Sequence, residues 1–178
     1  MTLRGLRPVF TTCIAAACLA CGGDARPASA PTLDPPRPGA VFDPARVRVG
    51  DSVAGLRVDA RDVRPASDGE WVGTVRFAGA VTIGGRIMAH PDPDVATPCF
   101  EADEASATRL PRWAGDTRRS WFCFTDAGSA ATRLGAARPA RAAVVTVDSY
   151  TVHYARSDVV NSARLVRVDS GGVRAATP

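Results

Sequence analysis

The chain has 178 residues, 46% hydrophobic and 22% charged, a globular composition that excludes a fibrous or wholly disordered protein. Its 16 Gly and 14 Pro favour turns over long helices and set an all-β expectation. The formal charge of +4 falls to about +2 once Arg4 and Arg7 leave with an expected leader. Every basic residue is Arg, scattered among Asp and Glu, so the surface reads as ordinary and solvated and a nucleic-acid partner is not expected.

Met1 to Arg7 carries two arginines and Val9 to Ala20 is a largely apolar run, the layout of an export signal. As a helix that run covers about 18 Å, short of the roughly 30 Å hydrocarbon core, so it does not read as a stable span. It ends Cys18-Leu19-Ala20-Cys21-Gly22-Gly23, which resembles the lipobox of bacterial lipoproteins, with Cys18 standing where Leu is usual. The resemblance implies cleavage before Cys21, a diacylglyceryl group on Cys21, and a lipid anchor in the cell envelope. Gly22 in place of Asp after that cysteine implies the periplasmic side of the outer membrane, where the organism has one. An ordinary secretory signal cut near Ala20 or Ala30 is the alternative.

Residues 21–40 read as the lipidated cysteine and a disordered tether. Gly22 to Ala40 holds five Pro, three Gly and four Ala, too little large apolar surface to order itself, and extended it reaches roughly 60 Å. Residues 41–169 then form a single domain, and 170–178 a disordered tail.

In that domain Leu56, Val58 and Ala60 alternate with Arg57, Asp59 and Arg61, a strand with one buried face, and Val47 and Val49 are expected to start it. Val75, Phe77, Gly79, Val81 and Ile83 mark the clearest strand. Gly79 suggests a bulge in its middle and Gly84-Gly85 an end. Further strands are predicted at Ser120 to Thr125, at Ala142 to Tyr154 with a bend near Asp148-Ser149, and at Ala163 to Val168. Glu104 to Leu110 is a helical turn stopped by Pro111, and Ser129 to Leu134 a short helix with Ser129 or Asp126 as N-cap and Gly135 as its stop.

The order of a long Gly-kinked strand, further strands, a short helix and closing strands resembles bacterial OB-fold modules, particularly the small tRNA-anticodon-like OB proteins of the envelope. The matching residues are Gly73-x-Val75-x-Phe77-x-Gly79, Trp121-Phe122-Cys123-Phe124, Ala143-x-Val145-x-Val147-x-x-Tyr150 and Ala163-x-Leu165. Ala89 to Arg118 departs from the pattern as an insertion. The resemblance implies a mainly β fold, a small OB-like or other β-barrel with one or two short helices; a β-sandwich is the alternative.

With Cys21 acylated, Cys99 and Cys123 remain as a pair in an oxidising compartment and are expected to form a disulfide, worth roughly 3 to 4 kcal/mol on the loop-entropy model. A metal site needs further Cys or His ligands at close spacing. The chain has only His90 and His153, so no metal and no cofactor are expected. Gly50-Asp51-Ser52-Val53 resembles the first block of GDSL esterases, but no Asp-x-x-His follows, and Asp169-Ser170-Gly171-Gly172 lies in a Gly-rich tail. His90-Pro91-Asp92-Pro93-Asp94 with Glu101, Asp103 and Glu104 lacks EF-hand spacing and reads as a solvated acidic loop.

No catalytic residue is assigned. Arg112, Trp113, Arg118, Arg119 and Trp121 form a candidate aromatic and cationic binding patch. The expectation is a lipid-anchored, non-enzymatic binding or assembly module with an envelope protein partner. The alternative is a cryptic envelope hydrolase using Ser52 or the acidic loop.

Overall fold

The computed structural model describes residues 40–67, 69, 71–135, 139–154, 160–169 and 174–175. The leader, Cys21, the tether up to residue 39, Ser170 to Gly172 and most of the tail lie outside the described residues. In chain order the elements are β1 (Val41–Phe42), β2 (Ser52–Val53), β3 (Leu56–Pro65), β4 (Trp71–Ala78), β5 (Val81–Ala89), β6 (Pro98–Ala102), α1 (Glu104–Ala107), β7 (Arg112–Trp113), β8 (Trp121–Phe124), α2 (Ala127–Leu134), β9 (Arg141–Tyr154), β10 (Asn161–Val168) and β11 (Arg174–Ala175).

Five of these strands close on themselves. β5 pairs with β6, β6 with β8, β8 with β10, β10 with β9, and β9 returns to β5. The β8–β10 pair is parallel and the others antiparallel, with α2 in the connection from β8 to β9. The protein is mainly β and its core is a small OB-like barrel. Closure through the β10–β9 ladder excludes the two open sheets of a sandwich.

The sequence signals that mark the barrel are backbone devices. β4 and β5 run end to end along one edge of β9, with Phe77 opposite Tyr150 and Val81 opposite Val147. The expected single strand is thus interrupted, β4 ending at Ala78 and β5 starting at Val81, with residues 78–80 facing only 148–149 on β9, Gly79 at φ +117 and Ser149 at φ +50. The expected bends at Gly79 and Asp148-Ser149 are one feature seen from two strands. It lets β9 serve the barrel with its first half and the β3–β4 hairpin with its second.

Three expectations need correction. Gly84-Gly85 does not end the strand, which continues to Ala89. A Cβ on Gly85 would lie 2.1 Å from the Glu101 carbonyl oxygen, so this glycine permits close approach of β6 instead of marking a turn. Val47 and Val49 start no strand, because Asp43 draws residues 44–47 into a turn: its carboxylate accepts from Ala45 N at 2.8 Å and its carbonyl from Val47 N at 2.9 Å. The stretch from Ala89 to Arg118 is no mere insertion, since it supplies barrel strand β6 along with α1 and β7.

The helices fall where capping residues place them. Asp103 caps α1 by accepting from Ser106 N at 2.7 Å. Asp126 precedes α2, but its carboxylate turns to Leu165 N on β10 at 3.4 Å, tying helix to barrel, and Gly135 follows the last turn. α2 buries Ala130 and Leu134.

Inside the barrel Phe100, Phe122, Phe124 and Tyr150 are at most 2% exposed. Phe122 is the hub, with ring centroids 5.8 Å from Phe100, 5.5 Å from Phe124 and 5.8 Å from Tyr150. Ile83, Ile87, Val145, Val147, Ala163 and Leu165 complete this interior. A second lobe of the same core packs Phe42 on Phe77 and Tyr154, at 5.3 and 6.1 Å.

Candidate functional site

Alternation along the barrel strands decides what faces outward. Ile87, Phe100 and Phe122 are fully buried inside, so Arg86 and Met88 on β5, Cys99 and Glu101 on β6, and Trp121 and Cys123 on β8 stand on the outer face. The register aligns them in two rows, Met88–Cys99–Cys123 and Arg86–Glu101–Trp121. Directly opposed side chains on one face touch, so each row is a line of contacts across three strands.

Electrostatics organises the second row. The Glu101 carboxylate, 14% exposed, pairs with Arg86 on one side and at 3.1 Å with Arg119 on the other. Both arginines remain more than half exposed, which makes this a surface network of modest stability and high polarity. Trp121, half-buried beside it, adds a flat apolar surface, and the β5–β6 connection with His90 closes one end.

The first row contains the expected disulfide: Cys99 and Cys123 are directly paired and bonded. Both are buried although they lie on the outer face, at 0% and 8% exposure. One ring nitrogen of His90 lies within 4.8 Å of both sulfurs, and the two sulfurs lie within the same distance of each other. Linear spacing carries no hint of this grouping, since ladder register brings 88, 99 and 123 together and a loop folds 90 over them.

The five residues expected to form one patch divide. Arg119 and Trp121 belong to the outer face just described. Trp113 on β7 packs on Tyr154, with ring centroids 5.2 Å apart. Arg118 is held by the buried Asp116 carboxylate through paired contacts of 2.9 Å and donates to the His153 carbonyl at 3.2 Å. The Asp116 hydrogen bond raises the Arg118 pKa above its ordinary value, fixing the guanidinium as a structural cation. Arg112 is exposed on β7, where its N–H bonds the Ala40 carbonyl.

Sequence reasoning missed two positions. Arg109, after α1, is 5% exposed, and its Nε and Nη1 have no hydrogen-bond partner among the described residues. His153 on β9, opposite in alternation to the buried Val152 and Tyr154, is half-buried: its backbone N–H donates to Asn161 Oδ1 at 3.0 Å and its Nε2 lies 3.4 Å from Ser162 Oγ. Neither position belongs to a sequence motif.

Ser52 is exposed on β2, where it lines a shallow pocket of about 340 Å³ with Asp43, Arg46 and Asp51. Neither histidine lines that pocket. The acidic loop keeps to itself, Asp92 Oδ1 accepting from Asp94 N at 3.0 Å. Compared with protein-family models, with curated proteins and with solved structures, the chain matches none.

His153 yields a testable pH dependence. Burial pushes its pKa below the ordinary value, and the nearby Arg118 charge pushes the same way. The unfolded chain therefore takes up a proton near pH 6.5 that the native protein refuses. Stability is full above that pH and falls as pH drops through the native pKa. His153→Gln should flatten the loss of stability between about pH 7 and pH 5, read as urea midpoints. Parallel pH profiles for parent and variant would disprove the assignment.

Proposed function

We propose that the protein is an exported lipoprotein, anchored through Cys21, whose OB-like barrel is a non-enzymatic binding module for an envelope protein partner. The observation that carries this reading is the outer face of β5, β6 and β8, where Arg86, Glu101 and Arg119 flank the half-buried Trp121. On OB-like barrels the outer face of the second and third barrel strands, here β6 and β8, and the adjoining loops are the usual ligand surface. A half-exposed aromatic beside arginines is the composition from which protein interfaces draw their strongest contacts. The tether, about 60 Å when extended, gives the face reach beyond the lipid surface.

A hydrolase is the second reading, and the His153–Ser162 contact favours it over Ser52. A histidine held neutral by burial is the form a general base requires.

Three measurements separate them. In cells crosslinked before lysis, the parent should capture discrete protein partners, and a Trp121→Ala, Arg119→Glu double variant should lose them at unchanged expression. Cys21→Ser should abolish labelling by a fatty-acid analogue and release the protein from membranes. Persistent membrane association of Cys21→Ser would sink the anchor. Turnover of ester, peptide or glycoside substrates, lost in Ser162→Ala, would replace the binding module with the hydrolase.

A further inference from the structure

The row Met88–Cys99–Cys123 and the adjacent His90 concentrate every sulfur side chain of the described residues in one place, with one of the chain's two imidazoles beside them. We propose that this is a soft-metal site. When the disulfide is reduced, the protein binds one Cu(I) through the Cys99 and Cys123 thiolates and the His90 imidazole, with the Met88 thioether as an adjoining soft donor.

The geometry brings the donors together. The two sulfurs and a His90 ring nitrogen all lie within 4.8 Å of one another, so that once the disulfide opens, side-chain rotation alone can set all three at about 2.0 to 2.3 Å from one ion. The ladder keeps Cys99 opposite Cys123, 3.9 Å apart at Cα in the bonded state, and facing residues of antiparallel strands stay about 4.5 to 5.5 Å apart without such a bond. His90 is oriented by the backbone of Asp92. That residue's N–H lies 3.1 Å from Nδ1 and its carbonyl 3.3 Å, so Nδ1 has a partner in either tautomer and the ion would take Nε2. Both cysteines are nearly completely buried, which shields a thiolate–metal bond from water.

The ligand set selects the ion. Two thiolates, an imidazole and a neighbouring thioether are soft donors that suit Cu(I), which accepts two or three ligands without a preference for oxygen. Glu101, in the neighbouring row of this face, is committed to Arg86 and Arg119, which removes a harder donor.

The chemistry balances in two steps. A dithiol reductant supplies two electrons and two protons to the Cys99–Cys123 bond, which opens to two thiols while the reductant closes its own disulfide. Cu(I) then displaces both thiol protons and forms two Cu–S bonds and one Cu–N bond, with its oxidation state unchanged. The Cys99–Cys123 disulfide is thus the closed form of the site. The inference does not depend on the lipid anchor or on a protein partner.

The test uses the full chain carrying Cys13→Ser, Cys18→Ser and Cys21→Ser, purified in mild detergent, so that Cys99 and Cys123 are its only cysteines. Under anaerobic conditions it is reduced, freed of reductant and titrated into the coloured Cu(I)–bicinchoninate complex. The reduced protein should withdraw one equivalent of Cu(I) and the oxidised protein none. His90→Ala, which leaves the disulfide intact, should weaken binding at least tenfold, and Met88→Leu severalfold. X-ray absorption should show sulfur and nitrogen neighbours in the parent and sulfur alone in His90→Ala. Far-UV circular dichroism follows the fold: reduced protein that has lost structure should regain it on adding Cu(I). The proposal is overturned if reduced protein withdraws no copper, if His90→Ala binds as tightly as the parent, if two chains share one ion, or if tenfold excess Zn(II) displaces the copper.

Discussion

Phe122→Ala is expected to lower the unfolding free energy by about 3 to 5 kcal/mol, measured by urea or thermal denaturation. The ring is fully buried and touches Phe100, Phe124 and Tyr150, so its removal opens a cavity at the centre of the barrel instead of at a margin that solvent can fill. The cost depends on how far the walls collapse, and here they are held. Phe122 is paired to Phe100, and the adjacent rung is the Cys99–Cys123 disulfide, which limits inward movement of β6 and β8. The loss should therefore lie in the upper half of that range, a large fraction of the 5 to 15 kcal/mol that keeps a domain folded. Phe122→Leu, which keeps most of the volume, should cost less than half as much. A loss below about 1 kcal/mol for the alanine variant would mean that Phe122 does not fill the barrel centre.

What could be read from the chain was set by where local pattern and tertiary contact agree. β9 was legible from alternating Ala143, Val145, Val147, Tyr150 and Val152, and its bend from the out-of-step Asp148-Ser149. β8 was legible as a run apolar on both sides, because Phe122 and Phe124 fill the barrel while Trp121 and Cys123 cover its outside. β6 was not, since Pro98-Cys99-Phe100-Glu101-Ala102 follows a proline-rich acidic loop and has no alternation long enough to stand out. Its strand identity comes from ladders with β5 and β8 on either side, a tertiary effect that overrides weak local preference.

The candidate site follows the same logic at longer range. Arg119 and Trp121 are near neighbours in sequence and share a face, so composition alone suggested them. Arg118, next to Arg119 in sequence, turns away to the buried Asp116 two residues before it, because the chain bends at Arg118 before β8 begins. His90 was assigned to a solvated loop with no ligand near in sequence. The 33 residues from His90 to Cys123 are crossed by two strand pairings that no spacing rule encodes. Disulfide pairing could be deduced by elimination, whereas its neighbours needed the register of three strands.

Gly85→Ala should cost about 3 kcal/mol or more, although it adds a single methyl group to a residue whose backbone is ordinary extended strand. The new Cβ would lie 2.1 Å from the Glu101 carbonyl oxygen, 2.8 Å from the Phe100 ring and 2.9 Å from Ala102 Cα. Two of these neighbours are backbone, and Phe100 is locked against Phe122, so no flexible side chain can yield. Relief requires β5 and β6 to separate, which breaks ladder bonds around Gly85–Ala102 and disturbs the Arg86–Glu101 pair on the outer face. Gly128→Ala is the matched control: that glycine lies in α2 with nothing within 4 Å of the added carbon, and alanine there should be neutral or stabilising by up to about 1 kcal/mol. Urea midpoints should move in opposite directions or differ by the full clash energy. Amide hydrogen exchange should localise the damage, accelerating β5 and β6 before the β3–β4 hairpin responds. Equal stability of Gly85→Ala and parent would show that the two strands do not approach as closely at Gly85 as the ladder requires.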